Sequence, residues 1–136
     1  MKIGIVTWNS AARHKLFMEQ AYPDMKTSVV ADSASDEEKI EACRDADAII
    51  MVAASLSVDV VKVCPNVKLL QGIGAGFDKV DVRAINALGV PYANNGGSNA
   101  IPVAEFTVSF IAGLARGVFR GAQNAIFLQG PAIGEL

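Results

Sequence analysis

Up to Ala93 the chain alternates between short apolar runs and mixed segments whose apolar positions recur at helical spacing. Lys2–Thr7 reads as a strand, and Ala11–Ala21 as a helix with Leu16, Phe17 and Met18 facing inward. Lys26–Ala31 is a second strand. Asp36–Cys43 is a helix whose first turn holds Asp36, Glu37 and Glu38, where the helix dipole favours negative charge. Asp47–Ala53, apolar after its first residue, has the character of a parallel strand covered on both faces. Val58–Val63 is a short helix stopped by Pro65, and Val67–Gln71 a fourth strand. Val82–Leu88 is a helix closed by Gly89, and Val90–Ala93 a fifth strand. Such alternation predicts a parallel sheet with helices on both faces, in a doubly wound α/β domain with strand order 2-1-3-4-5.

Beyond the fifth strand the pattern changes. Ser98 or Asn99 is placed to cap a helix, with Pro102 in its first turn. Apolar positions at helical spacing (Phe106, Phe110, Ile111, Leu114, Val118 and Phe119) predict a helix from Val103 to about Leu128, roughly 39 Å at ~1.5 Å per residue. Gly113, Gly117 and Gly121 recur along one ridge of it. Each costs about 1 kcal/mol in helix propensity, so close approach of another backbone is the expected compensation. Arg116 and Arg120 interrupt that ridge and speak against a membrane setting. The chain is therefore expected to comprise a binding domain over 1–98, a long helix over 99–128 and the start of a linker over 129–136.

Composition narrows the class. Of 136 residues, 51% are hydrophobic and 19% charged, which excludes disorder and supports a substantial core. Twelve Lys and Arg against fourteen Asp and Glu give −2, with no basic block, so neither nucleic acid nor an anionic membrane is an expected partner. The apolar part of Met1–Thr7 is too short for a signal peptide, and the longest apolar-rich run, Phe106–Ala115, is too short to span a bilayer. Cys43 and Cys64 have no CxxC or histidine cluster beside them, so no metal is expected and both read as buried, reduced thiols in a cytoplasmic protein. His14 stands alone on the first helix and reads as solvated.

Two clusters are candidates for chemistry. Gly72-Ile73-Gly74-Ala75-Gly76-Phe77-Asp78 follows the fourth strand. It misses the GxGxxG dinucleotide spacing by one residue, and the first strand ends in Thr7-Trp8-Asn9-Ser10 without glycine. Spacing leaves two readings open: a turn needed for chain direction, or a bare backbone whose amides hold an anion. Asn94-Asn95-Gly96-Gly97-Ser98-Asn99 follows the fifth strand. It contains turn and cap chemistry but more polar residues than either requires, which favours a role at the same sheet edge.

The run Val67-Lys68-Leu69-Leu70-Gln71-Gly72-Ile73-Gly74-Ala75-Gly76-Phe77-Asp78-Lys79-Val80-Asp81 resembles the D-isomer-specific 2-hydroxyacid dehydrogenases. So does Gly89-Val90-Pro91-Tyr92-Ala93-Asn94, followed by Asn99-Ala100-Ile101-Pro102-Val103-Ala104-Glu105. That family carries a glycine turn with D-x-V-D, then G-V-x-V-x-N and N-x-x-x-V-A-E opening a long interdomain helix. Phe106 departs from it where many members have histidine. The resemblance implies a flavodoxin-like substrate-binding domain, with amides at Gly74, Ala75 and Gly76 on the substrate carboxylate. It also implies that Asn99 faces the substrate, that Val103 touches the nicotinamide, and that the 103–128 helix builds a homodimer.

The family's GxGxxG strand, and its catalytic arginine, acidic residue and histidine, come from a further domain with no counterpart here. No catalytic residue and no cofactor are therefore expected in the isolated chain, with NAD or NADP serving the parent enzyme. The expected function is the substrate-binding half of an NAD(P)-dependent 2-hydroxyacid dehydrogenase, inactive alone, taking a small 2-hydroxy or 2-keto acid. The alternative is a stand-alone flavodoxin-like binding module or scaffold, natural or engineered. A flavin-binding flavodoxin is disfavoured, because the first strand lacks the expected Ser/Thr-rich phosphate loop.

Overall fold

The computed structural model describes residues 1–8, 10–118 and 120–122. The chain forms two compact units, Met1–Gly97 and a second beginning at Ser98.

In the first unit β1 (Lys2–Thr7), β2 (Lys26–Ala31), β3 (Ala48–Val52), β4 (Leu70–Gly72) and β5 (Tyr92–Ala93) build a parallel sheet of order β2-β1-β3-β4-β5, as predicted. The strands at the β5 side are shorter than their apolar runs. Val67 and Val90 are buried without joining the ladder, because burial, which the pattern reports, does not require strand pairing. Between the strands run α1 (Ala11–Ala21), α2 (Asp36–Cys43), α3 (Val58–Lys62) and α4 (Val82–Ala87). Side chains cap all four starts: Ser10, Ser35, Ser57 and Asp81 each accept from a backbone N–H. Ser35 and Glu38 form a reciprocal capping box.

The core lies around β1, β3 and β4, where Val6, Ile49 and Leu70 are fully buried, closed by Val60 of α3 and Ile85 of α4. Gly4 of β1 is glycine because α2 crosses there: a Cβ would lie 2.8 Å from Cys43 Sγ and 3.5 Å from Ala46 Cβ. Cys43 and Cys64 are buried free thiols. Burial, with Cys64 nearby, pushes the Cys43 thiol up to about 12, so it behaves as a small apolar group.

The first helix departs from expectation. Leu16 and Phe17 are exposed, at 55% and 60%; the stripe facing the sheet is Ala11, His14 and Met18, all partly buried. Those three share one face at helical period, whereas Leu16 and Phe17 lie off it. His14 is thus half-buried rather than solvated. Its Nδ1 lies 3.3 Å from the Ser10 carbonyl and 3.5 Å from Thr7 Oγ1.

In the second unit α5 spans Ala100–Ala115, with Pro102 in its first turn. The continuous helix to Leu128 is not found. Arg116 caps the helix, and Gly117 has φ +66°, a left-handed conformation that glycine adopts without a Cβ penalty. A new turn follows, with Gly121 N–H donating to the Gly117 carbonyl at 2.9 Å. Among the described residues nothing lies within 4 Å of a Cβ built at Gly117 or Gly121, and the positive φ of Gly117 is a conformation that glycine adopts freely. The expected helix residues 123–128 and the linker 129–136 lie outside the described residues. Among the described residues no helix is long and apolar enough to cross a membrane.

At the carboxyl edge of the sheet Asp32 ties three segments together. Its N–H donates to the Thr7 carbonyl (2.7 Å), and its Oδ1 accepts from the Ser55 N–H (2.8 Å) and hydroxyl (2.9 Å), with Lys39 Nζ at 3.9 Å. Burial pushes the Asp32 carboxyl up, but the two Ser55 bonds and the charges of Lys39 and Lys79 outweigh it and hold it below its ordinary value. Its charge stabilises the fold fully above the unfolded carboxylate range, about pH 4, and the benefit is lost as pH falls through the lowered native value. Asp32→Asn should therefore cost about 1 kcal/mol at neutral pH, and the difference from wild type should fade on acidification; urea titrations across pH read both. Gly4→Ala should lower the unfolding free energy by about 1–3 kcal/mol through overpacking against α2. An unchanged urea midpoint would show that Cys43 gives way freely.

Candidate functional site

The candidate site is built where β4 ends. Gly72 closes the strand and Ile73 N–H donates to the Met51 carbonyl at 2.9 Å, after which the chain turns through Gly74, Ala75 and Gly76. Neither Gly74 nor Gly76 has a positive φ. A Cβ on either would make only ordinary contacts, 4.0 Å to Gly76 N and 3.7 Å to Asp78 Oδ2. Neither conformation nor internal packing requires glycine at these positions, so their effect is to keep a backbone surface bare. That weighs against the simple-turn reading left open by spacing.

The residues after β5 fix this turn by its carbonyl groups. Asn95 Nδ2 donates to the Ile73 carbonyl (2.8 Å), Asn95 N–H to the Gly74 carbonyl (3.2 Å) and Asn94 Nδ2 to the Ala75 carbonyl (2.7 Å). Three consecutive carbonyls are thereby engaged. Among the described residues the N–H groups of Gly74, Ala75 and Gly76 have no acceptor. A turn whose acceptors are used and whose donors are open is electrostatically suited to an anion. The second polar cluster thus acts first as a brace: Asn94 and Asn95 hold the turn, and Gly97, at φ +79°, supplies the bend that follows.

Beside the turn is a cavity of about 260 Å³, all of it within the first unit. Met51, Ala53, Phe77, Val80 and Tyr92 wall it, and Gly74 and Gly76 border it. Its size falls just below the ~300–1,000 Å³ usual for small-molecule sites, which suits a small ligand. Asp78 and Lys79 add one charge of each sign, and Lys79 also acts on the Asp32 carboxyl.

Two lining residues escaped the sequence reading. Ala53 has φ +49°, the one left-handed non-glycine conformation among the described residues, and nothing in an alanine between β3 and Ala54 announces it. Tyr92 carries its ring over Gly72, so close that a Cβ there would collide with the phenol oxygen. Its signal was available, since tyrosine stands where the G-V-x-V-x-N pattern has valine. Burial pushes the Tyr92 phenol up from its ordinary value, so it keeps its proton at neutral pH.

Asn99 and Val103 belong to the second unit. Asn99 occupies the N-cap position of α5 but makes no side-chain cap hydrogen bond, and its carbonyl accepts from Val103 N–H at 3.0 Å. Val103 is 53% exposed, and its carbonyl accepts from the Thr107 hydroxyl at 2.7 Å. Among the described residues the Asn99 side chain makes no hydrogen bond, and the Val103 side chain is half exposed.

Comparison with known proteins places this geometry. D-3-phosphoglycerate dehydrogenase of Methanocaldococcus jannaschii is 29% identical over 90 residues, covering 65% of this chain and 17% of the relative. Glyoxylate reductase of Thermofilum pendens is 24% identical over 146 aligned positions, covering 90% of this chain and 43% of the relative. The chain thus spans less than half the length of these relatives. D-lactate dehydrogenase of Aquifex aeolicus, solved with NAD and lactic acid, superposes with a TM-score of 0.71 over 93% of this chain and 38% of that one. At 18% identity this last likeness is one of fold. The family model for the catalytic domain of D-isomer specific 2-hydroxyacid dehydrogenases matches residues 6–129. A match of that extent makes this chain a member of the D-isomer specific 2-hydroxyacid dehydrogenase family.

Proposed function

We propose that this chain is the substrate-binding half of an NAD(P)-dependent D-2-hydroxyacid dehydrogenase, with residues 1–98 forming the binding domain. The observation that carries the reading is the braced turn: Ile73, Gly74 and Ala75 have engaged carbonyls, while the Gly74, Ala75 and Gly76 amides are open. These amides would hold the carboxylate of a 2-hydroxy or 2-keto acid, whose remaining carbons enter the adjoining cavity. By family resemblance Asn99 faces the substrate and Val103 the nicotinamide.

The residues present do not fit a dinucleotide. Thr7 ends the first strand and Trp8 follows it, neither of them glycine, and the Gly72–Gly76 turn lacks GxGxxG spacing. Nicotinamide supplies the hydride in this chemistry, and a cation and an acid–base group serve the carboxylate and hydroxyl. We assign all of these to a separate nucleotide-binding domain of the parent enzyme and leave this chain the tasks of holding and orienting the acid. Alone it is inactive. Two buried free thiols suit a reducing, cytoplasmic setting.

The partner we propose for α5 is a second copy of the chain. No residue of this helix is buried, and Phe106, Val108, Ile111 and Leu114 are each at least 62% exposed. A helix this apolar is ordinarily covered. Sedimentation of the chain should show a monomer–dimer equilibrium that shifts to monomer in Ile111→Glu/Leu114→Glu; a monomer at every concentration would refute the dimer.

The carboxylate reading is tested by titrating the isotope-labelled chain with pyruvate and, separately, with NADH. Pyruvate should shift the Gly74, Ala75 and Gly76 amide resonances, and Gly76→Val, whose side chain covers the bare backbone, should weaken binding roughly tenfold. NADH should bind to nothing. Pyruvate resonance shifts confined to other regions, or NADH binding at the turn, would refute the assignment.

A further inference from the structure

We propose that the Tyr92 hydroxyl is a specificity-determining contact that reads a polar substituent on the third carbon of the bound acid. The inference rests on the carboxylate lying at the Gly74–Gly76 turn.

The placement follows from strand register. Leu70 pairs with Tyr92 and Gln71 with Ala93, so Tyr92 shares a sheet face with Leu70 and Gly72. Its ring runs toward the carboxyl edge and brings the hydroxyl over Gly72 in the space a side chain would occupy; the ring carbon Cζ lies 3.3 Å from that Cβ position. Gly72 is itself buried. Glycine on β4 and tyrosine on β5 are thus a complementary pair, and either alone would leave a void or a clash.

The hydroxyl is open to the cavity and free to bond a ligand there. Among the described residues no group hydrogen-bonds to it, although Tyr92 is partly buried and borders the cavity. The neighbouring walls contributed by Met51, Ala53, Ala54 and Val80 are apolar. Among the described residues the other polar side chains at the cavity are Asp78 and Lys79, which follow the turn rather than rise from the sheet. A protonated phenol both donates and accepts, so it matches a hydroxyl well.

The turn and the phenol border one cavity, so a short acid whose carboxylate meets the Gly74–Gly76 amides would present its far end to the hydroxyl over Gly72. A site that bonds a substrate hydroxyl discriminates against the analogue lacking it, because its own polar group is then left unpaired.

The test compares hydroxypyruvate with pyruvate, which lacks the third-carbon hydroxyl, by resonance titration of the full chain. Wild type should prefer hydroxypyruvate by roughly tenfold. Tyr92→Phe should bring the two within about twofold, mainly by weakening hydroxypyruvate, with the Gly74–Gly76 amides still shifting. Gly72→Ala, which displaces the phenol and keeps the hydroxyl, should erode the same preference; Tyr92→Phe alone suffices for the test if that variant fails to fold. Equal affinities in wild type, or an undiminished preference in Tyr92→Phe, would overturn the inference while leaving the carboxylate site intact. A Tyr92→Val variant that only admits bulkier 2-keto acids, with Tyr92→Phe unchanged, would show a steric role and also overturn it. Loss of turn resonance shifts with both acids in wild type would instead overturn the carboxylate reading on which it depends.

Discussion

The pairing of β4 with β5 extends over only two residue pairs, Leu70 with Tyr92 and Gln71 with Ala93, and every feature of the candidate site depends on it. So short a ladder fixes register weakly by backbone bonds alone. Side chains complete it: the Asn94 and Asn95 amides bond to carbonyls of the turn leaving β4, and the Tyr92 ring fills the space over Gly72. One slip of register would reverse the face of Tyr92 and remove both asparagines from their acceptors. The same contacts therefore set strand alignment and the polarity of the turn, so the site is formed as the edge of the sheet forms.

A second polar tie acts on the opposite side of the edge. Asp32 gathers the ends of β1 and β2 and the loop after β3 through the Thr7 carbonyl and Ser55. Lys39, buried on α2, approaches the same carboxylate. The core beneath is apolar and contributes little directional information, whereas these few polar bonds give the loops their geometry. Such a division, with apolar burial for stability and polar bonds for placement, is what a binding edge on an open sheet requires.

Much of this was legible in the sequence because it rests on periodicity. Strand and helix order, sheet order and the buried thiols follow from apolar patterning and the rules of parallel connection. The glycine turn was legible as a motif, and its family resemblance came from the spacing of Asp78, Val80 and Asp81 and of Asn94 and Asn99. Other features were hidden because they depend on which neighbour fills a given space. Leu16 and Phe17 look like core residues in composition, yet the helical phase turns them outward. Gly117 continues a small-residue ridge in the sequence, but its backbone turns left-handed and ends α5. The brace made by Asn94 and Asn95 could not be read from turn propensities, since its acceptors lie about twenty residues earlier in the chain, across a parallel crossover.

Ala53 carries a consequence for how such a cavity can diversify. Its left-handed backbone strongly disfavours any β-branched side chain at that position, so valine, isoleucine or threonine is a poor replacement there whatever space the cavity offers. The part of the wall at Ala53, just after β3, is therefore kept free of branched side chains by backbone conformation rather than by packing. Variation in ligand width within this architecture is channelled to β4 and β5, where the Gly72 and Tyr92 positions can exchange volume between them without disturbing a strained peptide.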